Sequence, residues 1–176
     1  MIPQKQSGVD PSRRQEIDSL CWLIEDAFVS DHSESLMNNL SHIREQDWTA
    51  LPPGGERSIA DLLEHIGWCK WMYEDYAFGT ASLRGDQPPI IPAGGARSRP
   101  HEELLTWLKQ GHYKWLASVR ALPDDAELKR DRLTNWGERI KTRSIIRSMI
   151  AHDYYHAGEI NHLRSLLQGK DRWEYE

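Results

Sequence analysis

Apolar residues recur at intervals of three and four in four long windows of this 176-residue chain. No window carries the sustained alternation of β-branched residues, punctuated by hairpin turns, that a sheet requires. The first window runs from about residue 12 to 43. Leu20, Ile24, Ala27 and Phe28 set its rhythm, and Leu36, Leu40 and Ile43 resume it after the polar patch SDHSES. One long helix is expected there, with Ser30–Ser33 as the place where it can break. Ser58-Ile59-Ala60-Asp61 forms a capping box with Asp in place of Glu, opening a helix over about 59–77 that Gly79 stops. A third helix is expected over about 100–121, with Pro100 in its first turn. The fourth runs from 143 to about 168, capped by Thr142 and ended by Gly169. Between them lie PPGG at 52–55, a long Gly- and Pro-rich connection at 79–98, and a polar stretch at 123–141 that reads mostly as loop. The expectation is all-α: four principal helices packed as a bundle in one domain over 1–176, with the bundle at about 12–168.

Composition narrows the function classes. With 39% apolar residues the chain can build a core. A net charge of -5, from 22 basic and 27 acidic residues, makes nucleic acid a poor partner, despite the local group Arg130, Arg132, Arg139, Lys141 and Arg143. No apolar run is long enough to span a membrane, and MIPQKQSGVD has no signal-peptide core. Two cysteines, Cys21 and Cys69, read as buried free thiols, and a cytoplasmic location is expected. Eight tryptophans are many for the length; most are expected to pack between helices.

The chemistry concentrates in HDYYHAGEINHLR, residues 152–164. At 100° per residue, Ile145, Met149, His152, His156, Glu159 and Leu163 share one helical stripe, and its apolar ends turn it toward the core. His152 and His156 are one turn apart, so both imidazoles can meet one ion. The Glu of HExxH is absent; Asp153 follows His152 and points elsewhere. Glu159 has several open roles: metal ligand, support for a His ring, base for a bound water, or partner of an Arg. Catalytic sites usually need three protein ligands. The second helix offers His65, on an expected buried side with Leu62, Cys69 and Met72. His162 falls off the stripe, and His32, His42, His101 and His112 are less apt.

PPGGERSIADLLEHIGW, the long crossover and HDYYHAGEINHLRSLL together resemble the DinB-like, damage-inducible superfamily of the DinB/YfiT type, over roughly residues 12–168. The resemblance implies a four-helix bundle of up-down-down-up topology, with the long connection crossing between the second and third helices. It implies a divalent metal, zinc or nickel before iron, on His65, His152 and His156. It also implies a frequent homodimer, and in some members a metal-activated S-transferase that uses a low-molecular-weight thiol.

The leading expectation is therefore a metal-dependent thiol transferase acting on a small electrophile, with Glu159 as base or as support for a ligand ring. A metal-dependent hydrolase of small amides or esters is the alternative, and a non-catalytic metal-binding protein is the third reading. Tyr155 and Asn161 flank the site, and Arg164 is expected to be a solvated surface residue.

Overall fold

The computed structural model describes residues 13–30, 34–84 and 95–169. Its helices are α1 (Gln15–Val29), α2 (Leu36–Ser41), α3 (Ile59–Phe78), α4 (His101–Arg120) and α5 (Thr142–Gln168). The mostly helical architecture matches the all-α expectation. The arm at 1–11, His32, Trp173 and residues 85–94 of the 79–98 connection lie outside the described residues.

The first expected helix is two. Ser30 leaves α1 in an extended conformation, and its hydroxyl donates to the Asp26 carbonyl at 2.7 Å. Ser35 then caps α2, its hydroxyl accepting from the Asn38 amide at 3.4 Å. Serines in SDHSES bond local backbone groups and so compete with helix continuation.

The capping box at the start of α3 is complete. Ser58 Oγ accepts from the Asp61 amide at 3.3 Å, and Asp61 Oδ2 accepts from the Ser58 amide at 2.7 Å. Arg97, in a short 3-10 turn at Ala96–Ser98, also donates to Asp61 at 2.7 Å and ties the crossover's far end to this cap.

Two glycines let α3 and α4 approach closely. A Cβ on Gly67 would lie 2.2 Å from the Trp107 ring, and one on Gly111 would lie 2.8 Å from Trp71 Nε1. Each helix therefore seats a tryptophan of the other over a glycine. Trp71 Nε1 donates to the Trp107 carbonyl at 3.4 Å.

The stretch read as loop before α5 holds a hairpin, β1 (Asp131–Leu133) against β2 (Arg139–Lys141), antiparallel with Arg132 opposite Ile140. Gly137 closes its turn at φ 91, and the Thr134 amide donates to Glu138 O at 2.8 Å. Three-residue strands made largely of charged residues leave no readable alternation. Thr142 is not the cap of α5. It is buried as the first helical residue, and its hydroxyl donates to the Arg130 carbonyl at 2.9 Å and accepts from Arg132 Nε at 3.0 Å. Thr142 thereby joins hairpin to helix. Gly169 ends α5 in the left-handed region, φ 64, as its position implies.

Buried apolar side chains form two clusters. One gathers Ile24, Cys69, Trp115, Val119, Ile145 and Met149. The other gathers Phe28, Leu36, Leu63, Leu104, Leu108 and Ile160. On α5 the first cluster stops at Ile150 and the second begins at Ala157. The gap holds His152, Asp153 and His156.

Candidate metal centre

On α5, His152 and His156 lie one turn apart on the stripe that begins with buried Ile145 and Met149. His156 is buried and His152 is half-buried. On α3, His65 and Cys69 are likewise one turn apart. His65 is exposed, although Leu62, Cys69 and Met72 on its side of the helix are buried. This corrects the expectation of a buried His65: it stands at the edge of the α3–α5 seam and not behind it.

The two helices bring their imidazoles together. His152 Nε2 lies 3.2 Å from His65 Nε2 and 3.1 Å from His156 Nε2. His65, Cys69 and His152 each bring a donor atom to within 4.8 Å of the others, a group that could hold a metal ion. Cys69 Sγ is 3.9 Å from His65 Nε2.

His156 Nδ1 is 2.7 Å from Glu159 Oε2, three residues on. An ionised carboxylate only accepts, so Nδ1 carries the proton and His156 Nε2 is a lone pair. His152 Nε2 can then donate to His156, but it cannot also accept from His65. With neutral rings, at most one of the two short Nε2 contacts is a hydrogen bond. A cation among these atoms satisfies every lone pair at once. Around a tetrahedral zinc, neighbouring nitrogens lie about 3.3 Å apart, given Zn–N near 2.0–2.1 Å. The donors thus fit a divalent ion in type, and the two contacts of His152 fit it in spacing.

Electrostatics keep the rings available. Burial, reinforced by His156, His65 and Lys70, holds His152 down to about 3, so it is neutral near pH 7. His65 is also lowered, first by desolvation, then by His156 and Arg57, with Glu159 opposing. Neutral imidazole is the ligand form.

Beneath the rings lies a pair the sequence did not disclose. Lys70 Nζ donates to Asp153 Oδ2 at 2.7 Å, with side chains 1% and 2% exposed. Asp153 does point away from the histidine stripe, but into the protein. Burial pushes its carboxyl up, with Lys70 opposing. Among the other candidates, Tyr155 is 69% exposed and His162 is exposed. Arg164 is half-buried, not solvated, and donates to Asn161 Oδ1 at 2.5 Å. His101 stacks on Trp48 with centroids 4.5 Å apart. His112 is fully buried, stacked on Phe28 at 3.6 Å, with burial holding it down to about 2.

The model of the DinB superfamily matches residues 30–160, well over half of the chain. The chain belongs to the DinB superfamily. That span contains all of α2, α3 and α4 and, on α5, His152, Asp153, His156 and Glu159. No curated protein matches this DinB chain closely enough to lend it an activity. No described helix is long and apolar enough to cross a membrane.

Proposed function

We propose that this DinB-superfamily protein is a divalent-metal-dependent enzyme that joins a low-molecular-weight thiol to a small electrophile. His65, His152 and His156 are its ligands. The observation that carries the reading is the convergence of three Nε2 atoms across α3 and α5, with His152 Nε2 3.2 and 3.1 Å from its neighbours. Zinc or nickel suits three imidazoles better than a hard ion does, with iron next.

Glu159 fixes the His156 tautomer and ring orientation through Nδ1, a common support for metal-bound histidine. It is a positioning residue in this reading. A divalent ion held there lowers the pKa of a thiol or water that reaches it. His65 is the exposed ligand, so its side of the site is the approach for substrate. Arg57, exposed and close enough to act on His65, adds positive charge at that approach and suits an anionic thiol cofactor. In the transfer, the thiol proton leaves to solvent. A sulfur lone pair forms the new carbon–sulfur bond as the bond to the leaving group breaks.

Hydrolysis of amides or esters stands second, because Glu159 is engaged with His156 and is not a free base for water. A purely structural site fits less well with an exposed ligand. The passage of α1, α3, α4 and α5 between the two apolar clusters, and the glycine–tryptophan pairing of α3 with α4, support one up-down-down-up domain. A homodimer remains part of the proposal on family likeness, and a cytoplasmic location on the reading of Cys21 and Cys69 as buried free thiols.

Metal content of gently purified protein tests the reading, beside a His65→Ala/His152→Ala/His156→Ala variant. About one transition metal per chain, lost in the variant, is expected. The loaded protein is then screened with thiols and electrophiles, and with ester and amide substrates. Metal-free protein that takes up no ion on reconstitution would overturn the proposal.

A further inference from the structure

We propose that Cys69 is a fourth protein ligand of the ion, its Sγ completing a three-nitrogen, one-sulfur donor set with His65, His152 and His156. The inference rests on the metal reading above and adds the atom that reading leaves out. Cys69 follows His65 by one turn of α3, so its side chain is carried toward the same point of the α3–α5 seam. Its Sγ is 3.9 Å from His65 Nε2 and within 4.8 Å of the His152 donor atom. In a tetrahedral zinc site, sulfur and nitrogen ligands lie about 3.6 Å apart, from Zn–S near 2.3 Å and Zn–N near 2.0–2.1 Å. Toward His65 the cysteine is therefore a few tenths of an ångström from ligand spacing; His156 stands outside this close group and reaches it through its 3.1 Å contact with His152.

Burial favours the same assignment. Cys69 is 7% exposed, whereas His65, one turn before it, is exposed. A thiol placed there is poorly sited to meet a substrate from solvent but well placed to close the inner side of the ion. On binding, the Sγ–H bond breaks, its proton passes to solvent, and the sulfur lone pair forms the bond to the metal. No atom changes oxidation state. A sulfur donor biases the site toward zinc and cobalt and away from magnesium and manganese. With four protein donors, an incoming thiol or water would have to reach the ion from the exposed His65 side as an added donor.

The full chain, stripped of metal, is titrated with Co(II). The expected spectrum has visible ligand-field bands together with an intense near-ultraviolet sulfur-to-cobalt band, both saturating at one equivalent. Cys69→Ser should lose the near-ultraviolet band and keep the visible ones. X-ray absorption on the unmutated zinc form should show one sulfur at about 2.3 Å, a readout that does not depend on the variant folding. Visible bands without the sulfur band, or a zinc shell of nitrogen and oxygen only, would sink the Cys69 proposal and leave the three-histidine site standing. Failure to bind either metal would overturn both.

Discussion

His112 makes the fold acid-sensitive, and the size of the effect follows from the structure. The ring is fully buried on α4, stacked on Phe28 of α1, and neither ring nitrogen has a hydrogen-bond partner. Burial holds its pKa down to about 2 from 6.5, with Lys70 of α3 and Arg120 of its own helix opposing the proton further. The folded pKa lies below the unfolded one, so the contribution to stability is complete above about pH 6.5 and is lost as pH falls toward 2. Between about pH 7 and about pH 5 the unfolded chain gains a proton that the folded chain refuses. One such histidine then costs about 2 kcal/mol, at about 1.4 kcal/mol per pH unit. His152, held to about 3, adds a similar loss in metal-free protein. Urea denaturation of metal-free wild type and His112→Leu at the two pH values isolates the His112 share. The variant should lose about 2 kcal/mol less than wild type over this interval. Its stability near pH 7 should stay within about 1.5 kcal/mol of wild type, since Leu is similar in volume and leaves no unpaired polar atom. Parallel losses in the two proteins would refute the reasoning, because they would mean that His112 accepts its proton in the folded state.

Three other perturbations test the site and its supports. Glu159→Gln should weaken metal binding about 10- to 100-fold by competition with a chelator, with the fold unchanged by circular dichroism; unchanged affinity would make the His156 contact incidental. Gly67→Ala should cost about 1–3 kcal/mol in denaturant unfolding, because its Cβ would lie 2.2 Å from the Trp107 ring, and a neutral result would mean that α3 and α4 separate easily. Lys70→Met should cost about 3–5 kcal/mol by leaving the Asp153 carboxylate buried and unpaired, while Lys70→Met/Asp153→Leu should recover most of the loss; a double variant as unstable as the single one would contradict this account of the pair.

Much of this was legible in local pattern. Helical spacing located the windows of α3, α4 and α5, the Ser58–Asp61 box marked where α3 begins, and the stripe through His152, His156 and Glu159 is the one that the α5 fold presents. What local pattern missed depends on partners far along the chain. Lys70 and Asp153 are 83 residues apart and are buried only because each meets the other. A helical wheel sends such charges outward. His65 shares a wheel face with buried Leu62 and Met72, yet the seam with α5 ends before it, so the ring reaches solvent. Cys69 resembled any small core residue until α5 brought His152 within range. Thr142 carried a cap's composition, but the hairpin engaged its hydroxyl first.

Apart from Thr142, these late-emerging residues occupy one level of the bundle. The two apolar clusters give way to each other between Ala27 and Phe28 on α1, between Ile66 and Cys69 on α3, between Leu108 and Trp115 on α4, and between Ile150 and Ala157 on α5. His112, Lys70, Asp153, His152 and His156 lie at or beside those transitions, with His65 opening the level to solvent. A polar layer through an apolar bundle is costly, and its members must satisfy one another or a ligand. Lys70 and Asp153 pair with each other through Oδ2, leaving Asp153 Oδ1 without a hydrogen-bond partner, and they join the same two helices as the histidines do. Lys70 comes one residue after Cys69, and Asp153 one after His152. A slip of either helix that separated His65 from His152 would also pull apart a fully buried ion pair. The pair therefore holds the register in which three ring nitrogens meet, and the ion proposed among them would relieve the contact that neutral imidazoles cannot satisfy by themselves.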